Sequence, residues 1–253
     1  MASHEPEWLQ AGSDFGFYKF PENSPFFFDG AERPINESVI FASAFVSLYM
    51  VTQDFVFLER AVNIWNRYKQ YMTRDQFRYI AYSYNAGKLF EGWTLEDNVS
   101  INTPVFNPSI KNKYETFHKA AITLNFMIPL SEAGFKEVDR YLEEFYYVLL
   151  ASLNSSSPTA KFPAKFGFGY PLNSHHIRPP YVLDGWLRLV SQNDEFARYA
   201  LETIDDNQFD ARLYLSYLTG LSRHALRSVE VVISPRFLDE SDVVCPFVAP
   251  VFG

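Results

Sequence analysis

The chain has 253 residues, of which 47% are hydrophobic, 18% are aromatic and 21% are charged, and its formal net charge is −8 at pH 7. A disordered chain is poor in aromatic residues, so this composition predicts a folded protein with a large core. The single cysteine, Cys245, excludes an intrachain disulfide and a cysteine-rich zinc module, and it favours the cytoplasm or another reducing compartment.

Residues 1–35 form the first predicted segment, an irregular arm rich in aromatic residues and without a helical period. Acidic residues stand where a secretory signal peptide would carry basic ones, so secretion by that route is not expected. Phe26, Phe27 and Phe28 are adjacent in this arm, and such rings must pack on something. Either the arm covers the core of its own chain or it binds a neighbouring subunit, which makes these three residues candidates for self-association.

A helical body is predicted from residue 36 to residue 233, because apolar residues recur there at spacings of three and four. Its first helix is apolar nearly all round, so it should lie centrally. The most apolar run, residues 39–51, is about 13 residues long, short of the roughly 20 that span a bilayer, and no membrane span is expected. The pattern predicts a mainly α fold of seven to eight helices, at 36–51, 52–68, 76–87, 107–127, 131–153, 181–191, 194–205 and 208–226.

Three local signals set the predicted limits of these helices. Residues 73–76, with the sequence Thr-Arg-Asp-Gln, fit a capping box, and the helix that follows should stop at Gly87. Asn107 and Pro108 fit a helix start, and Pro129 should end that helix.

The end of the chain is predicted to be largely non-helical. Residues 154–180 form the longest stretch without a helical pattern, and this length is typical of functional loops or of linkers, so a sub-boundary of the body is placed there. Residues 228–234 alternate like a strand, which allows one short strand pair. The extended tail, residues 234–253, carries Phe247 and Phe252, which join the rings of the N-terminal arm as candidate self-association residues.

The long loop holds the weak candidates for catalysis, His175 and His176, with Asp184 following in the sequence. Histidine titrates near neutral pH, but adjacent residues on an extended chain point to opposite sides, so an exposed pair is the better interpretation. We therefore assign no catalytic residue. If the protein is an enzyme, Arg178 and Trp186 are the next candidates, in an aromatic pocket with the loop as its lid.

One helical pattern resembles a metal-ligand spacing. Glu115 and His118 would lie at i and i+3 on one helix face, as in carboxylate-bridged di-iron bundles. Such bundles need a second motif of this kind, and the sequence does not contain one. We therefore expect no metal and no other cofactor.

Positive charge is concentrated in residues 59–119, which hold nine basic and six acidic residues. Here Arg67, Lys69, Arg74 and Arg78 alternate with aromatic residues, a composition typical of surfaces that contact phosphates and stack bases. The alternative is two amphipathic helices whose rings turn inward and whose cations lie in solvent. The alternative is favoured because the whole chain is acidic, and single-stranded nucleic acid is kept as a secondary candidate partner.

Three functions from different classes fit these features. The favoured one is a non-enzymatic structural protein that self-associates through its aromatic arms into a homo-oligomer, like a coat, scaffold or capsid subunit. If it is coat-like, we expect it to be located in a virion. Abundant aromatic residues, 13 arginines against 9 lysines, and the absence of common catalytic motifs favour it. The alternatives are an α-helical enzyme or small-molecule-binding protein with a pocket under residues 154–180, and an RNA-binding nucleoprotein.

Overall fold

A computed structural model shows that the chain is mainly α-helical, as the sequence predicts. It describes residues 2–22, 30–74, 79–94 and 114–154, with the short pieces 162–163, 166, 176–177, 185–187, 189 and 198. Within this part of the chain there are five α-helices: α1 (Ile35–Thr52), α2 (Phe55–Tyr68), α3 (Gly87–Glu91), α4 (Phe117–Glu132) and α5 (Asp139–Asn154). The helices predicted at 194–205 and 208–226 lie outside the described residues, apart from Arg198.

Short antiparallel strand pairs accompany the helices. In the described residues β1 (Trp8–Gln10) pairs with β2 (Gly16–Tyr18), β3 (Met72–Arg74) with β4 (Ile80–Tyr82), and β5 (Phe162–Pro163) with β6 (His176–Ile177). Strands of two or three residues are too short to show an alternating pattern. The strand that the sequence predicts at residues 228–234 lies outside the described residues, and the sequence pattern did not predict the three pairs at their positions.

The hairpin of β3 and β4 replaces a predicted helix. Thr73 lies opposite Ala81 in this hairpin, so the interpretation of residues 73–76 as a capping box is wrong. Every residue of β4 is buried, and the hydroxyl of Tyr82 bonds to that of Thr123 in α4 at 3.0 Å. A strand buried on both faces carries no alternation, so its apolar run resembles a turn of helix. Gly87, the predicted helix stop, is instead the first residue of α3.

The fourth helix begins later and ends later than its sequence signals suggest. Glu115 precedes α4 in an extended segment, where its N–H donates to the carbonyl of Tyr82 at 2.9 Å. Pro129 lies inside α4 and does not end it. The chain turns at Gly134, which has φ of 102°, before α5. A proline removes a single hydrogen bond, and the buried apolar face of α4 continues past it to Leu130.

The turn between α1 and α2 lies near the predicted boundary, but Thr52, the predicted start of the second helix, is the last residue of α1, and α2 begins at Phe55. Asp54 is the N-cap of α2, and its carboxylate accepts a hydrogen bond from the backbone N–H of Val56 at 3.0 Å. Gln53, with φ of 58°, ends α1 in the left-handed conformation, and its N–H donates to the carbonyl of Tyr49. The two helices are therefore joined by a very short, well-capped connection.

The core lies where α1, α2, α4 and α5 meet, and it is strongly aromatic. The buried hydroxyl of Tyr68 donates to the Ser38 hydroxyl at 2.7 Å, whereas the indole N–H of Trp65, also in the core, has no hydrogen-bond partner among the described residues. The large core predicted from the composition is thus confirmed. The largest completely buried side chains are Trp65, Trp186, Tyr18, Tyr68, Tyr82, Phe45, Phe117, Phe126, Phe145 and Phe166.

The described part of the N-terminal arm packs on its own chain. The buried ring of Tyr18 in β2 stacks on Phe41 of α1, with 4.5 Å between the ring centroids. The guanidinium of Arg60 in α2 lies over Trp8, 4.8 Å from the ring centroid. Residues 2–22 form a 3-10 turn and a hairpin in place of the irregular arm that the sequence predicts, and they cover the core of their own chain.

Candidate functional site

The most exposed apolar surface of the described residues lies at the turn between α1 and α2. Val51 is 85% exposed and Phe55 is 71% exposed, while Met50 and Val56 are each about half exposed. We call these four residues the apolar corner. Scattered exposed apolar side chains are ordinary on a protein surface, but a contiguous group that includes a phenylalanine is typical of an interaction site.

The outer face of α1 continues this surface away from the turn. Ile40, Ala44, Ser47 and Val51 are all exposed, and their spacing of four, three and four places them on one face of the helix. We call these residues the α1 stripe. The hydroxyl of Ser47 donates to the carbonyl of Ser43 at 2.9 Å, one turn earlier, so it is satisfied within the helix. The α1 stripe therefore presents an essentially apolar surface.

Charge is absent from this face along most of its length. Between Glu37 and Asp54 the sequence contains no charged residue. The carboxylate of Glu37 is bound by Arg33 at 3.2 Å, and that of Asp54 caps α2. The sequence predicted a central helix because α1 is apolar nearly all round. The structure instead buries one side of α1 and leaves the other side in solvent.

Helix α1 is also, within the described residues, the one helix long and apolar enough to cross a membrane by length and composition. It has 18 residues, more than the predicted run, and 39% of them are buried inside the structure. The buried side packs on α2 and α4, as in a core helix. The structure therefore gives α1 a protein environment on one side.

The cations of the basic segment, residues 59–119, are paired at four positions with carboxylates from outside that segment. The acidic flanks thus fold back onto the basic segment and compensate its charge there. Of the candidate nucleic-acid-binding residues, Arg78 lies outside the described residues, and the other three belong to these pairs. Their binding to phosphate would require the pairs to break. The pairs are Arg60–Glu5, Arg67–Glu32, Lys69–Glu137 and Arg74–Glu144.

The pair of Arg67 and Glu32 is the most buried of the four. Two hydrogen bonds join the side chains, from Nε to Oε1 at 2.9 Å and from Nη2 to Oε2 at 2.7 Å. Gly87 packs against this carboxylate with φ of 53°, and a Cβ there would lie 2.6 Å from Oε2. The pair therefore joins the segment before α1 to α2, and it needs a glycine beside it.

Burial governs the titration of this pair and of its neighbour Tyr71. Burial raises the pKa of Glu32, and the hydrogen bonds from Arg67 oppose that rise. Desolvation acts to lower the pKa of Arg67, but its bonds to Glu32 outweigh desolvation and raise it, so the guanidinium stays charged. Burial and the nearby Glu32 carboxylate raise the pKa of Tyr71 to about 12.

A pH dependence follows from the raised pKa of Glu32. Between about pH 4.5 and that raised pKa, the folded chain holds a proton that the unfolded chain has lost. The folded state then binds more protons, so the free energy of unfolding should fall as the pH rises through this window. Urea unfolding of the wild type and of Glu32→Gln at several pH values measures the effect. The prediction is contradicted if the free energy of unfolding of the wild type, minus that of Glu32→Gln, increases as the pH rises.

The candidate catalytic residues are not brought together in the described part of the chain. His175, Arg178 and Asp184 lie outside it, and His176 is described only as a backbone position in β6. Trp186 is completely buried, and its indole N–H donates to the carbonyl of Phe117 at 3.1 Å. Trp186 is therefore a core residue whose polar group is already used, and it does not line an open pocket.

The Glu115 and His118 pattern does not form the predicted pair on a helix face. Glu115 lies before the first residue of α4 and is completely buried, whereas His118 is exposed in the first turn of that helix. Within the described residues, no group of three or more histidine, cysteine, aspartate or glutamate side chains is placed to hold a metal ion. The i, i+3 spacing is therefore coincidental here.

The candidate self-association rings Phe26, Phe27, Phe28, Phe247 and Phe252 also lie outside the described residues, so their assignment stays a prediction. The exposed surface that the structure does show, on α1 and the apolar corner, was missed. Its signal was present in the sequence, as an apolar helix with no charged residue between Glu37 and Asp54.

The fold and this surface define a class of protein, a mainly helical chain with an aromatic core and an uncovered apolar helix face. No protein-family model matches the chain, and no curated protein or solved structure matches it either. The functional inference therefore depends on the geometry of the chain itself.

Proposed function

We propose that the protein is a non-enzymatic structural protein that self-associates, as a coat-like or scaffold-like subunit does. The observation that supports this most directly is the apolar surface formed by the apolar corner and the α1 stripe, which carries no charged residue between Glu37 and Asp54. Such a surface in water carries an unfavourable hydration free energy, which burial against another apolar surface relieves. A copy of the same chain offers that second surface.

A small apolar surface suits an assembly built from repeated contacts. The largest apolar patch on a typical monomer is about 300–600 Å², and a stable pairwise interface needs about 600–1,000 Å² on each partner. A patch near the lower value binds weakly by itself. Weak contacts become stable when each subunit makes several of them, which is how a coat or lattice gains its strength.

The predicted aromatic arms supply the further contacts that such an assembly needs. Residues 2–22 are already packed on their own chain, which leaves Phe26–Phe28 and the tail residues Phe247 and Phe252 as the proposed second set. A coat-like subunit of this kind would work in the cytoplasm or another reducing compartment, or in a virion.

A double substitution in the apolar corner tests the proposal. Phe55→Glu with Val56→Glu is expected to abolish self-association, because each copy would carry two charges into the contact. Both residues lie in the first turn of α2, where negative charge is favourable, so the fold should be retained. Light scattering after size-exclusion chromatography, over a range of concentrations, measures the oligomeric state.

The control is Tyr147→Glu on α5, which adds a single negative charge at a half-exposed aromatic residue outside the apolar corner. It should assemble like the wild type. A wild-type chain that stays monomeric at every concentration, with and without residues 234–253, would contradict the proposed function.

A further inference from the structure

The α1 stripe has a self-complementary order of residues. Its four positions alternate between spacings of four and three, as in the seam of a coiled coil. Large residues, Ile40 and Val51, stand at its two ends, and small residues, Ala44 and Ser47, stand in the middle. Turning the helix end over end about the point midway between Ala44 and Ser47 places each large residue on the position of the other.

We propose that α1 of one copy packs antiparallel against α1 of a second copy, an inference that rests on the proposed self-association. In this arrangement Ile40 lies opposite Val51 of the second copy, and Ala44 lies opposite its Ser47. The contact is isologous, so a two-fold axis passes between the helices.

The small central residues let the two helices approach closely. Packed helix axes are usually 8–10 Å apart, and small side chains at the crossing point shorten that distance. The hydroxyls of Ser43 and Ser47 are bound to carbonyls of their own helix at 2.8 and 2.9 Å, so their burial leaves no donor without an acceptor.

The charges at the two ends select the antiparallel sense. Antiparallel pairing brings Glu37, whose charge Arg33 already compensates, to the end where Asp54 of the second copy lies, so the two Asp54 carboxylates stay at opposite ends of the contact. Parallel pairing would place the two Asp54 carboxylates beside each other without a cation. It would also align the two helix dipoles, which the antiparallel sense opposes.

A second copy fits this face better than a lipid surface does. The chain carries a net charge of −8, and cytoplasmic membrane surfaces are negative and attract basic segments. The cation nearest to this face in the sequence, Arg33, is engaged by Glu7 and Glu37, so it does not provide a free basic flank for anionic lipids.

Ala44→Glu tests the position of the contact on the full-length chain. It puts two carboxylates near the two-fold axis, and self-association should weaken by about 100-fold or more, measured as a dissociation constant by light scattering or mass photometry. Ala44 is exposed in the single chain, so the circular dichroism spectrum should not change. Tyr147→Glu is again the control.

Distances between spin labels test the sense of packing. With Cys245→Ser as background, single cysteines at positions 40, 43, 48 and 51 each carry one label. Antiparallel packing separates the paired labels along the helix axis by about 16 Å at positions 40 and 51 and by about 8 Å at positions 43 and 48. Equal distances at all four positions would overturn the antiparallel sense.

The possible negative results overturn different parts of the two proposals. A wild-type chain that never self-associates overturns the proposed function together with this inference. A wild-type chain that assembles, and whose assembly Ala44→Glu leaves unchanged, overturns the α1 contact alone. A monomer that binds phosphatidylcholine vesicles, and loses this binding on Ala44→Glu, assigns the face to lipid and overturns the proposed second copy.

Discussion

Replacing Glu32 with alanine is expected to lower the free energy of unfolding by about 3–5 kcal/mol. The carboxylate is buried and accepts two hydrogen bonds from Arg67, at 2.9 and 2.7 Å. Its loss leaves a guanidinium that is mostly out of solvent, between the rings of Phe17 and Tyr71, without a counter-ion. Breaking one side of a buried pair costs more than the pair contributes as a whole, because the remaining charge stays desolvated.

Two comparisons separate this effect from a general loss of charge. Glu22→Gln breaks the pair with Lys19, but Glu22 is 70% exposed, so a change of no more than about 1 kcal/mol is expected. Replacing both buried partners, Glu32→Leu with Arg67→Met, should recover most of the loss. Denaturant unfolding followed by circular dichroism measures all three variants. An effect of Glu32→Ala as small as that of Glu22→Gln would contradict the prediction.

This pair shows what the charge pattern of the sequence could and could not predict. The excess of basic residues around Arg67 was visible, and so were the acidic flanks. Which carboxylate meets which cation depends on the return of the chain over 35 residues, from Glu32 to Arg67, and no local pattern encodes that. The basic segment therefore resembled a surface for phosphates, whereas four of its described cations pair with carboxylates of the same chain.

The helices were predictable where local signals and burial agree. In α1 and α2 the apolar spacing predicts both helices and the place where they meet, although α2 begins at Phe55 and not at the predicted residue 52. The sequence predictions failed where tertiary packing overrides a local signal. Residues 73–76 have the composition of a capping box, yet Thr73 and Arg74 pair with β4 as strand residues, and the apolar face of α4 continues past Pro129 to Leu130.

The sequence indicated only part of the candidate site. A helix without charge over residues 38–53 was recognised as apolar on every side and was therefore expected to be central. Composition states how much of a helix avoids water, but it does not distinguish burial in its own chain from burial in an assembly. The structure makes this distinction, because it shows that Val51 and Phe55 are exposed to solvent.

Replacing Trp186 with alanine is expected to lower the free energy of unfolding by about 3–5 kcal/mol. The indole is completely buried and stacks on Phe117, with 4.7 Å between centroids, and on Phe166 at 5.7 Å. Trp186→Phe keeps most of the ring but removes the N–H that bonds to the Phe117 carbonyl, so a smaller loss of about 1–3 kcal/mol is expected.

The same experiment decides whether the chain after residue 154 belongs to the helical body. Trp186 and Phe166 fill a space between α4 and α5, so their removal should destabilise the helices themselves and shift one cooperative unfolding transition. Trp8→Ala, at the partly exposed end of the N-terminal hairpin, is the control and should cost less. If the helical transition stays unchanged on Trp186→Ala, residues beyond 154 fold as a separate unit, and the boundary predicted at 154–180 is real. If it shifts, Trp186 and Phe166 belong to the core of the helical body. Trp186 is then not available to line an aromatic pocket under residues 154–180.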